Sequence, residues 1–345
     1  MTTASYNAIL ISTYIHGEEI SVNKAERLTN AFAGKPVDRV PFSFWYHFLE
    51  ERLGNDNGLK AHMDYYRSSG VDYIKIMSDG YGAPADYSGV KKASDWARIP
   101  RGGKGSRYFT GQLDRVKRIN DALQGDCLTF YNIFAPFSLM RQGDREAMVM
   151  QHLKEDRDSV LQGLDIISDD VLEFTQALMQ EGGCAGIYMA LQGGERWRFS
   201  TEEYAEIVAP SDLKVLGGAQ AIRDMNIAHL CGWAGDPNNL EIWKDYPARA
   251  FNWAIFIEGL NLVEGKRFFG GKTVIGGFDN RKGALLHSAG SKQEVKTFAQ
   301  QVVREYEEAF GSKQGLVIGA DCTIWYDVDD SRFRWVLEAL EELGA

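Results

Sequence analysis

Eight short apolar runs, separated by segments long enough to be helices, constrain this chain more than any other feature. The runs are Arg39–Trp45, Tyr73–Met77, Leu128–Phe134, Ala185–Leu191, Asn226–Leu230, Trp253–Ile257, Lys272–Gly276 and Gly315–Gly319. Strands that alternate with helices make βαβ units and a parallel sheet. Eight such units predict a TIM (β/α)8 barrel, with a doubly wound sheet as the alternative. Residues 1–22 read as an N-terminal extension and 23–345 as one barrel. A helix opens near Ser21 or Asn23, both good N-caps, and ends at Gly34 before Pro36. The amphipathic stretch Asp158–Gln180 reads as two helices. Residues 78–125 are long for one connection, and an inserted loop or hairpin is expected around residues 80–110. Lys91, Lys92, Arg98, Arg101, Lys104 and Arg107 cluster there, as a solvated face or a contact for an acidic partner.

The charge balance narrows the function. A net charge of −10 argues against nucleic-acid binding, which needs a basic face. Four scattered cysteines do not make a disulfide scaffold and fit a reducing cytoplasm. No basic-then-apolar leader opens the chain, and no run approaches the length needed to span a bilayer.

Barrel topology brings strand C-termini to one mouth. The residues following the runs are Tyr46 and His47, Ser78 and Asp79, Pro136 and Ser138, Gln192 and Glu195, His229 and Cys231, Glu258, Phe278 and Asp279, and Asp321 and Cys322. His229 and Cys231 are two apart on an extended segment and so share a side. With Cys322 they supply one imidazole and two thiolates, a donor set suited to Zn²⁺ with an exchangeable fourth position. No C-x-x-C is present, so this is not a finger spacing. The plainer reading is three small buried residues at strand ends. Glu195 or Gln192 is the candidate fourth ligand, with water or substrate otherwise; an ion pair with Arg196 or Arg198 competes for Glu195. Asp79 leaves its strand into a glycine and is a candidate base or substrate acceptor, against an Asx turn. His47 is a candidate proton shuttle. Tyr46 belongs with an aromatic group that is mostly core but also suits a ligand wall. Asp327, Asp329 and Asp330 read as a helix N-terminus.

Several segments together resemble the uroporphyrinogen decarboxylase superfamily. Asn23-Lys-Ala-Glu-Arg-Leu-Thr-Asn-Ala-Phe-Ala-Gly-Lys-Pro-Val-Asp-Arg-Val-Pro is similar to its opening helix and strand. Phe134-Ala-Pro-Phe-Ser-Leu-Met resembles its Gly-Ala-Pro-Phe-Thr-Leu segment, Val274-Ile-Gly-Gly-Phe-Asp its Gly-Asn-Leu-Asp segment, and His229-Leu-Cys-Gly its His-x-Cys-Gly segment. The likeness spans roughly residues 23–343 and implies a TIM barrel.

Two chemistries follow from the resemblance. True decarboxylases need no cofactor and grip a polycarboxylate porphyrinogen; Asp79 falls at their pyrrole-binding aspartate. Their Arg-Gln-Ala-Gly-Arg stretch is replaced by Trp45-Tyr-His-Phe-Leu-Glu, and bidentate arginine partners are not readily lost from such a site. The chain is more similar to methylcobalamin:coenzyme M and O-demethylase methyltransferases, whose zinc ligands match His229, Cys231 and Cys322. That branch implies bound Zn²⁺, substrate oriented by Asp79, Tyr46 and His47, and cobalamin carried by a separate corrinoid protein, because no D-x-H-x-x-G motif is present. The superfamily also suggests a homodimer. A porphyrinogen decarboxylase and a non-catalytic ligand-binding barrel remain the alternatives.

Overall fold

The structure is a computed structural model that describes residues 22–53 and 57–344. The expected extension, residues 1–22, lies outside the described residues except for Val22. Seven parallel strands make one sheet in chain order. They are β1 Tyr73–Ile76, β2 Leu128–Phe134, β3 Gly186–Leu191, β4 Ile227–Leu230, β5 Ala250–Trp253, β6 Thr273–Phe278 and β7 Leu316–Ala320. Their side chains are almost wholly buried, as a sheet covered on both faces requires.

Residues 41–46 take the eighth place, between β7 and β1. Phe42 and Tyr46 form parallel bridges to Ile318 and Ile324. Ser43 N donates to Ile318 O at 3.0 Å and Ile318 N to Pro41 O at 2.9 Å; on the other edge Asp72 N donates to Phe42 O at 2.9 Å. The expected first strand therefore closes the barrel, but through separate bridges rather than a full ladder. Pro41 has no N–H to give.

A buried carboxylate locks this closure. Asp72, fully buried just before β1, accepts from Arg27 Nη1 (2.7 Å), Arg39 Nη1 (2.7 Å) and Nη2 (2.9 Å), and from Phe42 N (2.9 Å). Arg27 lies on the opening helix Lys24–Phe32, whose N-cap Asn23 accepts from Glu26 N. One side chain thus joins the opening helix, the closing segment and β1.

Three local expectations are corrected. The sixth strand is not Trp253–Ile257 but Ala250–Trp253, and Ile255–Glu258 is a helical turn. A short apolar run does not distinguish the two, and Gly259 caps the turn at a φ of 65°. Asp158–Gln180 is one helix, Arg157–Gln180, not two. Its interior Gly163 does not break it; a Cβ there would lie 3.0 Å from Trp96 Cβ, so the glycine permits close packing. Residues 80–106 contain no hairpin but a 3₁₀ turn, Ala93–Arg98, that buries Trp96. Within the basic cluster Arg101 pairs with Asp170 at 2.6 Å and Lys104 with Glu173 at 3.7 Å, so both face the acidic side of a neighbouring helix. Asp329 and Asp330 precede the last helix, Ser331–Gly344, as expected. No helix among the described residues is long and apolar enough to cross a membrane.

Substituting Asp72→Ala leaves Arg27 and Arg39 buried without their shared anion. Stability should fall by about 3–5 kcal/mol, read from the urea midpoint. A loss below about 1 kcal/mol would show that closure does not rest on this residue.

Candidate active site

β4 and β7 deliver the central group. His229 lies within β4, Cys231 just beyond its end, and Cys322 two residues beyond β7. Their ligand atoms all lie within 4.8 Å of one another. Cys231 Sγ and Cys322 Sγ are 4.0 Å apart, and Cys322 Sγ is 3.4 Å from His229 Nε2. A disulfide would need about 2.05 Å, so these are two free thiols. A tetrahedral zinc with Zn–S near 2.3 Å and Zn–N near 2.0 Å sets S···S at about 3.8 Å and S···N at about 3.5 Å. Two of the three separations match that geometry, and the third, between Cys231 and His229, lies within 4.8 Å.

The surroundings orient each donor. His229 Nδ1 meets Asn252 Oδ1 at 2.5 Å, and Asn252 Nδ2 donates to Ile275 O (2.9 Å) and Ala320 O (3.0 Å). Those two carbonyls fix the amide, so its oxygen faces the ring and Nδ1 carries the proton. Nε2 is left with its lone pair toward the sulfurs, the tautomer that can meet a metal. Gln192 Oε1 accepts from Arg141 Nη2 at 3.0 Å, which turns its Nε2 toward Cys231 Sγ at 3.7 Å. In this orientation Gln192 offers the sulfur a donor rather than offering a metal its oxygen. Cys231 donates toward Cys322, which holds the Cys322 thiol well below its ordinary range; the retained proton and burial push Cys231 up.

Glu195 is not brought into this cluster. It is buried, with Oε2 accepting from Arg198 Nε at 2.7 Å, while Arg198 and Arg141 both reach Glu146. This is the competing ion pair that the sequence allowed. Asp79 and His47 do meet: Asp79 Oδ1 is 2.6 Å from His47 Nδ1, at the mouth beyond β1. Asp79 Oδ2 is buried and unpartnered. The loop that presents it is held by Gln112 Nε2, which donates to the carbonyls of Ser78, Asp79 and Gly80, and by Arg115 Nη1 at 2.6 Å from Asp79 O. Tyr81 in that loop has a φ of 64°, a left-handed conformation a tyrosine adopts only under constraint. Tyr46 is placed apart, buried among Phe48 and Tyr65, with its hydroxyl donating to Asp330 Oδ1 at 3.1 Å.

Two residues of the site were missed in the sequence. Asn252 fell outside the misplaced sixth run, although an asparagine inside Ala-Phe-Asn-Trp was its signal. Lys75 was read only as part of an apolar run. It is buried on β1, with Nζ 4.6 Å from the Trp45 ring centre and 4.0 Å from that of Tyr188. The Tyr188 ring in turn lies 5.9 Å from the His229 ring.

Fold and site define a parallel α/β barrel that gathers a nitrogen and two sulfurs at its C-terminal mouth. Residues 74–343 match the uroporphyrinogen decarboxylase (URO-D) family, and the chain belongs to it. Among solved structures it is similar to a methyltransferase from Methanosarcina mazei, at 17% identity and a TM-score of 0.71, covering 94% of this chain and 100% of that one. It is also similar to GH5_18 from Streptomyces cattleya in complex with GlcNAc, at 11% identity and a TM-score of 0.50, covering 88% and 80%. At these identities the likeness shows the barrel. A comparison with curated proteins gave no significant match.

Thiol reactivity should follow this geometry. Burial raises Cys127 far above the ordinary thiol range and Cys184 to about 12, while Cys322 is lowered and only partly buried. In native, chelator-treated protein, limiting iodoacetamide should label Cys322 first and leave Cys127 and Cys184 unlabelled, as mapped by peptide mass spectrometry. Labelling of Cys127 or Cys184 ahead of Cys322 would contradict the arrangement.

Proposed function

We propose that this chain is a zinc-dependent methyltransferase, moving a methyl group between a small substrate and a corrinoid protein or thiol. The carrying observation is that His229, Cys231 and Cys322 bring one nitrogen and two sulfurs within 4.8 Å of one another at the C-terminal end of the barrel. Structural similarity to a methyltransferase supports the same reading. His229 Nε2 and the two sulfurs would hold the metal, and a bound Zn²⁺ would act at its fourth position as a Lewis acid or as the activator of a thiol.

The chain's own groups divide the remaining work. Asn252 keeps the His229 lone pair aimed at the sulfurs, and Gln192 donates to Cys231 and so restrains its charge. Asp79 and His47 orient the substrate and hold or accept a proton at Asp79 Oδ2, the buried oxygen with no protein partner. Trp197, Trp233, Phe256, Trp325 and Tyr326 are all exposed on segments that follow β3, β4, β5 and β7. Large apolar side chains gathered at a rim suit a docking protein, here the carrier of cobalamin.

Porphyrinogen decarboxylation is the weaker reading. It needs free cations for carboxylates, and two arginines near the mouth, Arg141 and Arg198, are already committed to Glu146 and Glu195.

Protein purified without added metal should carry about one zinc per chain, and Cys322→Ser should lose it. Asn252→Ala should weaken zinc binding by about 10–100-fold in chelator competition, since it removes only the partner that orients the ligand. Undiminished methyl transfer by a fully metal-free wild type would overturn the proposal.

A further inference from the structure

The three donors of the cup are also two thiols beside a base. Cys322 Sγ lies 3.4 Å from His229 Nε2, the ring nitrogen whose lone pair faces the sulfurs. Asn252 Oδ1, at 2.5 Å from Nδ1, holds the other side of that ring. A thiol, an imidazole placed to take its proton and an amide that orients the imidazole together make a sulfur nucleophilic. A second thiol stands ready behind it, with Cys231 Sγ at 4.0 Å from Cys322 Sγ. The two sulfurs differ in access. Cys231 is buried and Cys322 only partly so, which lets a dissolved oxidant meet Cys322 first. The other two cysteines are buried and engaged elsewhere: Cys127 Sγ donates to Leu128 O at 3.3 Å, and Cys184 Sγ accepts from Thr129 Oγ1 at 3.7 Å.

Oxidation by hydrogen peroxide follows from these positions. Cys322 Sγ attacks one peroxide oxygen while its proton passes to His229 Nε2; the O–O bond breaks, and the leaving hydroxide takes that proton to become water. Cys322 is then a sulfenic acid. Cys231 Sγ attacks the Cys322 sulfur, the S–O bond breaks, and the second hydroxide leaves with the Cys231 proton as water. The two thiols lose two electrons in all, and the peroxide is reduced to two waters. Closing from 4.0 Å to a disulfide moves each sulfur by about 1 Å. We propose that Cys322 and Cys231 are an oxidation site, with Cys322 attacked first and Cys231 resolving it, and that the disulfide and a bound cation are alternative states of one cup. A disulfide leaves neither sulfur as a thiolate donor, so closing it removes two of the three ligands. The disulfide itself depends only on the thiols; its consequence for the metal rests on the metal-dependent reading above.

The test treats the full chain, stripped of metal by a chelator, with one equivalent of hydrogen peroxide. Free thiols are counted and the cysteine peptides mapped by mass spectrometry without reduction. Wild type should lose two of its four thiols and yield a Cys231–Cys322 linkage within one chain, with Cys127 and Cys184 still free. Retention of all four thiols, or oxidation of Cys127 or Cys184 at the same rate, would overturn the oxidation site. Cys231→Ser should stop at the first step and trap dimedone at Cys322, whereas Cys322→Ser should trap none at Cys231; the reverse pattern would overturn the assigned order. Adding His229→Gln to Cys231→Ser should slow dimedone trapping by about tenfold or more, and an unchanged rate would remove the histidine from the step. The wild-type measurement needs no variant to fold. Zinc is then offered to the reduced and the oxidised wild type. The reduced chain should take up zinc, the oxidised chain should not, and dithiothreitol should restore uptake. Equal uptake by both would overturn the exclusion of one state by the other. A reduced chain that forms the disulfide but binds no zinc would overturn the metal reading and leave the oxidation site standing.

Discussion

A parallel barrel works only if it closes, and closure here runs through the carboxylate of Asp72. Parallel strands pair through slanted hydrogen bonds, and the closing segment is the weakest paired, since Pro41 has no donor and only bridges form on its β7 edge. Asp72 compensates by binding Arg27, Arg39 and the Phe42 amide together, all away from solvent. Without that clamp only a few backbone bonds hold the closing segment between β7 and β1. Cys322, which hangs just beyond β7, would then lose its distance to His229 and Cys231. The sulfur–nitrogen cup is therefore a product of closure, although Asp72 belongs to none of the site's hydrogen bonds.

Much of this was legible in the residues because its causes are local. Alternation of apolar runs and helix-length segments is a periodic signal, and it located every strand of the sheet to within a few residues. The exception was the sixth, where the apolar run continues from β5 straight into the turn Ile255–Glu258. That slip removed Asn252 from view, because its importance lies in pointing inward beside His229, which only the correct register shows. Lys75 escaped for a related reason. A lysine in a strand is ordinarily a long side chain reaching solvent, and only a closed barrel turns it into an interior charge. The ion pair between Glu195 and Arg198 was visible as a competing choice, but deciding it required knowing that Arg141, Arg198 and Glu146 converge. Spacing along the chain reports which side a residue takes on its own element. It does not report which partners claim that residue first.

The family this chain belongs to is named for decarboxylation, and the physics of the mouth does not favour that chemistry in this member. Binding several carboxylates depends on unpaired guanidinium groups with fixed geometry. Here the segment after residue 44 is aromatic, and Arg141 and Arg198 serve carboxylates of the protein itself. What has been gathered instead is soft donor chemistry. A barrel accepts such a change readily, because loops and strand ends carry function while the β-strand interior carries stability.

The site's outer contacts act on the donors rather than on any position the donors leave open. Asn252 directs the lone pair of His229 toward the sulfurs, and Gln192 offers Cys231 an N–H anchored by Arg141. The chemistry proposed for the mouth therefore depends as much on the partners that orient His229 and Cys231 as on the strands that bring the donors together.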